Sequence, residues 1–265
     1  MKNVITLLAL LILSFSSLSA QEIQSLRVVT YNIHHGQGTD KRIDIKRIGD
    51  FLDSCKVGLA ALQEVDRGVE RTGKIDILKL LSDQTGMHMA FGKNIDFQGG
   101  DYGNAILSRF DIDTVKNLHY KMMLEGEQRG LLQTVIEANG EKIVFMATHT
   151  GDKNTEAEKL MNADEIINAL KSYNGLPVIL CGDFNDRPES KMHAKLKEYF
   201  SDLWEILGKG PGYSFPSVNP DRRIDYIYIS KEGLKKLKPV FIKVLHSEAS
   251  DHLPLMAEFE LLKNK

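Results

Sequence analysis

Polar residues that bind metals and move protons follow apolar segments at several points along this chain. In the stretch PVILCGDFNDRP, residues 177–188, a short apolar run ends at Gly182 and is followed at once by Asp183 and Asn185. Similar side chains end or interrupt five other apolar segments: Asn32, Glu64, His149, Asp225 and His252. One such segment would mean little, but six are hard to obtain by chance. Loops that leave one edge of an α/β sheet commonly form its site.

Each of these side chains also has an ordinary structural explanation. Asp183 and Asn185 are common turn residues that hydrogen-bond to nearby backbone. Glu64 can be a first solvated residue, and single histidines are often structural. Asp225 is harder to explain in this way, because an unpaired carboxylate within an apolar strand is costly. It requires a cationic or hydrogen-bonding partner, and an imidazole would serve.

The residue types together fit one chemistry. Carboxylate and amide oxygens suit a hard cation such as Mg²⁺, Mn²⁺ or Ca²⁺. A Zn²⁺ site would more readily use cysteine or several close histidines, and the chain has no HExxH or CxxC spacing. A histidine held by a carboxylate can act as acid or base near neutral pH. This equipment suits hydrolysis of a phosphate ester by an oriented water.

The first twenty residues, MKNVITLLALLILSFSSLSA, have the layout of a cleavable signal peptide. A lysine precedes an apolar run that is too short for a confident membrane span, and small residues follow it. The prediction is a mature protein that begins near Gln21 and is secreted or periplasmic, with an uncleaved anchor as the alternative. Residues 21–265 are long enough for one substantial core, and we interpret them as a single domain.

Charge and cysteine content narrow the function classes. Loss of the signal peptide removes Lys2 alone, which changes the formal net charge from −2 to −3. A mildly acidic chain lacks the electrostatic footprint of a dedicated nucleic-acid binder, so nucleic acid is possible but not favoured. Cys55 and Cys181 do not make a disulfide framework. We favour two buried, unpaired thiols, with a disulfide left open.

Apolar periodicity predicts mixed helices and strands without a linker. Strands are predicted at residues 26–33, 57–65 and 177–181, and helices at 44–55, 74–86, 155–172 and 189–200. The Asn-Gly pair within residues 139–142 predicts a β-hairpin, and three strands are predicted after residue 223. The fold class is therefore α/β: a sandwich in which two mixed sheets pack face to face with helices outside.

Seven short motifs resemble one known family. TYNIH, ALQEV, YGNAILS, ATHT, CGDFN, RIDYI and SDHLP occur in family order across residues 30–254. The chain resembles the endonuclease/exonuclease/phosphatase superfamily, the DNase I-like metal-dependent phosphoesterases. Its members include nucleases, neutral sphingomyelinases and inositol polyphosphate 5-phosphatases. The resemblance implies a four-layered α/β sandwich and a Mg²⁺ cofactor, with Mn²⁺ also possible.

Metal and substrate contacts follow from the resemblance at five positions. Glu64 matches the family's principal metal ligand, and Asn32 lies beside it. Asp251 occupies a position where some members hold a further metal contact. Asn104 resembles the active-site asparagine of the central strand, and Arg129 is placed near the substrate phosphate.

Catalytic roles are implied at five more positions. Asp183 matches the aspartate that positions or activates water, and Asn185 the asparagine that orients it and the phosphate. Asp225 and His252 resemble the carboxylate–histidine pair that faces the scissile phosphate. His149 resembles the second histidine, near the leaving-group oxygen.

The substrate is not defined by these motifs. His34 stands where exonuclease III-like enzymes carry aspartate, and Thr150 stands where many members have leucine. Residues 97–103 and 208–223 are predicted to be loops that select the substrate. The leading hypothesis is a secreted, monomeric, Mg²⁺-dependent hydrolase of a phosphodiester or phosphomonoester. The alternatives are a secreted nuclease acting on DNA or RNA, and a catalytically silent binding module on the same fold.

Overall fold

Twelve strands and five helices make up the described part of the chain. The computed structural model describes residues 25–138 and 140–261, and the predicted signal peptide lies outside the described residues. The strands are β1 Ser25–Asn32, β2 Leu59–Arg67, β3 His88–Phe97, β4 Gly100–Ser108, β5 Ile112–His119, β6 Gly130–Ala138, β7 Glu141–His149, β8 Val178–Asp183, β9 Phe200–Asp202, β10 Asp225–Ser230, β11 Leu237–Val244 and β12 Leu255–Leu261. The helices are α1 Ile45–Ser54, α2 Ile77–Thr85, α3 Glu156–Lys171, α4 Lys191–Leu196 and α5 Leu203–Leu207.

Each sheet contains six strands and one central parallel pair. The strand order is β11-β12-β1-β2-β4-β3 in the first sheet and β5-β6-β7-β8-β10-β9 in the second. β1 runs parallel to β2, and β7 runs parallel to β8. The carboxyl ends of each parallel pair therefore meet at one edge, where ligands of α/β proteins commonly bind.

Strand alternation sorts the apolar side chains into three layers of core. In β8, Ile179 and Cys181 lie in the cluster between the sheets, while Val178 and Leu180 pack with α3 on the outer side. A third cluster joins α1 and α2 to the outer face of the first sheet. Strands buried on both faces read as continuous apolar runs, which explains their sequences. The predicted sandwich of two mixed sheets with outer helices is confirmed.

One predicted turn is confirmed and one predicted loop is wrong. β6 and β7 pair up to Ala138 and Glu141, as the Asn-Gly signal indicates; position 139 itself lies outside the described residues. Residues 97–103 do not form a loop, because Phe97 ends β3 and Gly100 begins β4. Gln98 and Gly99, with φ of 45° and 78°, make the tight turn between them. Positive φ at both central positions is the geometry that joins antiparallel strands most closely.

The structure also bears on the two cysteines and on the apolar character of the helices. Cys55 and Cys181 are free thiols, and Cys181 is fully buried. Among residues 25–138 and 140–261, no helix has the length and apolar character needed to cross a membrane.

A buried histidine outside the site should make the fold acid-sensitive. His193 on α4 is 1% exposed, and its Nδ1 lies 2.5 Å from the Tyr228 hydroxyl. Burial lowers the pKa of His193 to about 3, whereas an unfolded histidine has a pKa near 6.5. The unfolded state therefore binds more protons between these values, and stability is lost as pH falls through that window. We expect this residue to remove about 2 kcal/mol of unfolding free energy between pH 7 and pH 5.

Urea denaturation at both pH values measures this loss. His193→Gln should lose less stability on acidification than the parent protein, because it has no buried imidazole to protonate. His246→Gln, which alters an exposed histidine, should follow the parent. Equal losses in the parent and in His193→Gln would contradict the prediction.

Candidate functional site

The candidate site lies where the inner faces of the two sheets end. In β1, β7 and β8, the residues four positions before the strand end belong to the core between the sheets. Alternation therefore turns Asn32, His149 and Asp183 toward the same inter-sheet space. Asp225 is the register partner of Asp183, and His149 is its partner on the other side. Asn32 and Asp183, which are 151 residues apart in sequence, are therefore in hydrogen-bond contact.

Asp183 lies at the centre of this group. Its Oδ1 accepts the backbone N–H of Asn185 at 2.9 Å, and its Oδ2 accepts the Asn32 amide at 3.1 Å. The same Oδ2 lies 3.5 Å from His149 Nε2 and 3.6 Å from His252 Nε2. The carboxyl group is 1% exposed, so its orientation is fixed by these contacts.

Asp225 and His252 form a buried carboxylate–histidine pair. Asp225 Oδ2 lies 3.0 Å from His252 Nδ1 and also accepts the Ser214 hydroxyl at 2.6 Å. The partner that Asp225 required is thus an imidazole. Its second oxygen, Oδ1, is buried and has no hydrogen-bond partner in the described part of the chain. The Ser250 hydroxyl accepts the His252 backbone N–H and donates to the Asn32 carbonyl, which fixes the segment against β1.

Burial and close charges set the protonation of this cluster. Burial is the largest influence on Asp183, and with the nearby Asp225 it raises the pKa of Asp183 to about 7, against the opposing effect of His252. Burial alone would lower the pKa of His252, but the carboxylates of Asp225 and Asp183 together raise it to about 10. At neutral pH the cluster therefore holds an imidazolium between two carboxyl groups.

His149 is neutral and held from both sides. Arg129 Nη1 lies 2.8 Å from His149 Nδ1, and the Asn185 side-chain amide lies 3.0 Å from Nε2. A guanidinium only donates, so Nδ1 accepts and the ring proton is on Nε2, toward Asp183; the Asn185 amide beside it donates to the Thr150 carbonyl at 3.0 Å, not to the ring. Burial, then Arg129 and His252, lower the pKa of His149 well below its usual range. His149 therefore presents a hydrogen-bond donor to the site.

Glu64 is turned into the site by a β-bulge. Leu62 pairs with Ala105 and Val65 pairs with Gly103, so two residues of β2 oppose one residue of β4. Glu64 has φ of 60°, and its Oε1 accepts the Asn32 amide at 3.0 Å. Bulges of this kind re-aim side chains beside active sites. Asn32 thus connects Glu64 to Asp183.

The remaining predicted residues lie around this centre. Arg129 is ion-paired to Glu127 at 2.9 Å as well as contacting His149, so it positions the histidine. Asn104 donates to the Gly130 carbonyl at 3.0 Å, and its buried Oδ1 has no hydrogen-bond partner among the residues that the structure describes. Asp251 is not part of the Asp183 group: its Oδ1 lies 3.6 Å from His34 Nδ1.

Within the described residues, two groups of side chains have ligand atoms close enough together for one metal ion. Asp183, Asp225 and His252 form the first group, and His34, His35 and Glu64 form the second, each with its ligand atoms within 4.8 Å of one another. The second group offers one carboxylate oxygen, from Glu64, and two imidazole nitrogens, from His34 and His35. These donors can hold a divalent cation, but they are not the all-oxygen set that Mg²⁺ prefers.

Three contributors were missed in the sequence. Ser214 lies in a Gly- and Pro-rich segment, 11 residues before its partner Asp225, and carries no local signal. Ser250 was visible within the SDH motif but had no assigned role. The second histidine of NIHHG, His35, gave a usable signal, because two adjacent histidines follow a strand end.

Known proteins resemble this chain in sequence and in fold. YbhP of Escherichia coli (strain K12), described as an uncharacterized protein, is 29% identical over 251 residues, 89% of this chain and 97% of that protein. An endonuclease/exonuclease/phosphatase from Beutenbergia cavernae DSM 12333 has a TM-score of 0.75 and 21% identity, covering 89% of this chain and 72% of that one. Mannosyl-6-phosphatase Bt3783 of Bacteroides thetaiotaomicron VPI-5482 has a TM-score of 0.73 and 19% identity, covering 88% and 99%.

The family assignment follows from the length of the sequence match. The profile described as Endonuclease/Exonuclease/phosphatase family matches residues 29–252, from β1 to the histidine of the carboxylate–histidine pair. Every strand end that carries a site residue lies within that match. The chain therefore belongs to the endonuclease/exonuclease/phosphatase family of phosphoesterase hydrolases.

Proposed function

We propose that this protein is a secreted, divalent-metal-dependent hydrolase of a small, sugar-like phosphate ester. The observation that carries the proposal is the placement of Asp183, with two fixed hydrogen-bond donors on its oxygens and two imidazoles within 3.6 Å of Oδ2. A carboxylate held in this way can orient a water molecule and accept its proton. The apolar N-terminal segment of the sequence supports secretion.

The residues of the chain have complementary tasks in such a reaction. Asp183 aligns the attacking water, while the His252 imidazolium, held by Asp225, stabilises negative charge on the phosphate oxygens. The Nε2–H of His149 donates to an oxygen of the ester. A divalent cation beside Glu64 would, when bound, add positive charge next to the phosphate.

The substrate class is indicated by a cavity beside Arg129, the residue that contacts His149. A cavity of about 330 Å³ begins at Arg129, and its lining carries more acidic than basic residues: Glu125, Glu127, Asp152 and Glu158 against Arg129 and Lys153. This rim repels the repeated phosphates of a nucleic acid. Carboxylates are good acceptors for hydroxyl groups, so the rim suits a polyhydroxylated leaving group. The structural neighbour named as a mannosyl-6-phosphatase adds weight to a sugar-like substrate.

One substrate panel tests the proposal. Sugar phosphates, inositol phosphates, nucleotides, sphingomyelin and plasmid DNA are incubated with the purified protein, with and without divalent metal. We expect the highest kcat/KM on a sugar or inositol phosphate, and dependence on metal. Glu64→Gln should lower kcat/KM roughly 100-fold or more, because it removes a charged ligand.

Three outcomes would contradict the proposal. Plasmid cleavage that exceeds all small-molecule turnover, and that weakens steeply with salt, would indicate a nuclease. No turnover despite tight metal or ligand binding would indicate a binding module. Full activity in Glu64→Gln would remove the assigned role of the glutamate. Asp111→Asn, which changes an exposed carboxylate, is the control and should behave as the parent.

A further inference from the structure

We propose that His34, His35 and Glu64 form a binding site for a first-row transition-metal dication such as Zn²⁺. The ion expected at this site is thus a transition-metal dication and not Mg²⁺. Metal binding here does not depend on the proposed hydrolysis. His34 and His35 follow β1 in a 3-10 turn, and Glu64 reaches the same place from the bulge in β2.

The geometry brings three ligand atoms together. One atom from each side chain lies within 4.8 Å of the others, although Glu64 is about thirty residues away in sequence. All three residues have left-handed backbone, with φ of 44°, 44° and 60°. Side chains other than glycine rarely adopt this conformation, and such strain concentrates at functional sites.

The independent observation is an unsatisfied buried imidazole. His35 is 8% exposed, and its Nδ1 is buried without a hydrogen-bond partner among residues 25–138 and 140–261. Its ring packs edge-on against the ring of His34, with 4.4 Å between centroids. A buried polar atom that lacks a protein partner requires another explanation. An imidazole next to a second imidazole and a carboxylate is explained by a shared metal ion.

Asp251 supplies the support that a histidine ligand usually has. Its Oδ1 lies 3.6 Å from His34 Nδ1, and its side chain is 42% exposed. Ligating histidines commonly turn their other ring nitrogen toward a carboxylate, which fixes the tautomer and the orientation of the ring. Asp251 thus lies close enough to influence the orientation of the His34 ring, and its own role as a metal contact stays a prediction.

The donor set distinguishes between ions. Mg²⁺ prefers oxygen ligands in a near-ideal octahedron. Two imidazole nitrogens and one glutamate oxygen are the ligand set of several catalytic zinc sites, and imidazole suits first-row transition ions generally. HExxH and CxxC are absent from the sequence, but HHG at residues 34–36 supplies two adjacent histidines.

Calorimetric titration of the metal-stripped protein with Zn²⁺ and, separately, with Mg²⁺ tests the site. We expect one Zn²⁺ per chain, bound roughly 100-fold more tightly than Mg²⁺. His34→Asn and His35→Asn should each weaken Zn²⁺ binding by roughly 100-fold and leave Mg²⁺ binding unchanged. Asparagine is chosen because it tolerates left-handed backbone, so the imidazole is removed with little added strain.

Matched variants make the result specific. Glu64→Gln should weaken binding of both ions, whereas His246→Asn, at an exposed histidine, should weaken neither. Zn²⁺ should also raise the Tm of the parent, and this rise should be lost in the His34 and His35 variants. If His35→Asn no longer unfolds cooperatively, the more exposed His34→Asn decides the question.

Two results would overturn the proposal: Zn²⁺ affinity equal to the parent in both histidine variants, or Mg²⁺ binding as tight as Zn²⁺ in the parent. Its failure is distinct from failure of the proposed function. Mg²⁺-supported hydrolysis that persists in both histidine variants, with Zn²⁺ affinity unchanged, would remove this site and leave the phosphoesterase standing. Zn²⁺ binding through both histidines without any turnover would retain this site and refute the phosphoesterase.

Discussion

Asp183→Asn should lower kcat/KM by about 10³-fold or more on the best substrate of the panel. Asparagine has the same shape, but it cannot take a proton from water. It also replaces one acceptor oxygen with a donor. Both oxygens of Asp183 face donors, the Asn185 backbone N–H and the Asn32 amide, so one of these contacts becomes donor against donor. The loss should appear in kcat, because the carboxylate acts on water in the transition state.

The matched control is Asp186→Asn, three residues further along the same segment. Asp186 is half-buried and pairs with Lys159 at 3.3 Å, away from the two imidazoles that face Asp183. Its activity should stay close to that of the parent. Steady-state kinetics on both variants, with unfolding curves to verify folding, provide the comparison. An Asp183→Asn enzyme with near-normal kcat would refute the assigned role.

Much of the site could be predicted because side chains alternate between the two faces of a strand. The alternation that buries a strand also sets the face on which its last side chain lies. β8 is apolar on both faces, and alternation then fixes which face Asp183 occupies. The same rule applies to Asn32 on β1 and His149 on β7. Sequence alone therefore indicated which residues end strands, and the family resemblance indicated that those strands lie side by side.

The rest depended on features that have no local sequence signal. The bulge that turns Glu64 toward Asn32 is a register shift against β4, and register is a property of two strands together. Ser214 reaches Asp225 from a segment without periodic pattern. Residues 97–103 resemble an inserted loop in sequence, yet Gln98 and Gly99 make a tight hairpin turn and Gly100 and Gly103 belong to β4. In each case tertiary pairing decides what the local sequence leaves open.

The Asp225–His252 pair should behave as one unit in catalysis. Asp225→Asn and His252→Gln should each lower kcat/KM by about 10³-fold, because a histidine acts properly only with its carboxylate partner in place. The double variant should be no worse than the more damaged single variant, since residues that act together are strongly non-additive. Losses that multiply to about 10⁶-fold would show instead that the two side chains act independently.

The unfolding free energies of the same variants show whether Asp225 and His252 depend on each other or whether each substitution only disrupts the fold. His252→Gln leaves the Asp225 carboxylate buried, with Ser214 as its one remaining hydrogen-bond donor, and should cost about 3 kcal/mol of unfolding free energy. Adding Asp225→Asn removes that uncompensated charge, so the double variant should be more stable than His252→Gln alone. Urea denaturation measures both. If the double variant is less stable than either single one, Asp225 is satisfied by other groups and the pair is not the unit proposed. A double variant that is more stable than the parent, with catalysis still lost, would mean that the buried charge pair is kept for the reaction at the expense of the fold.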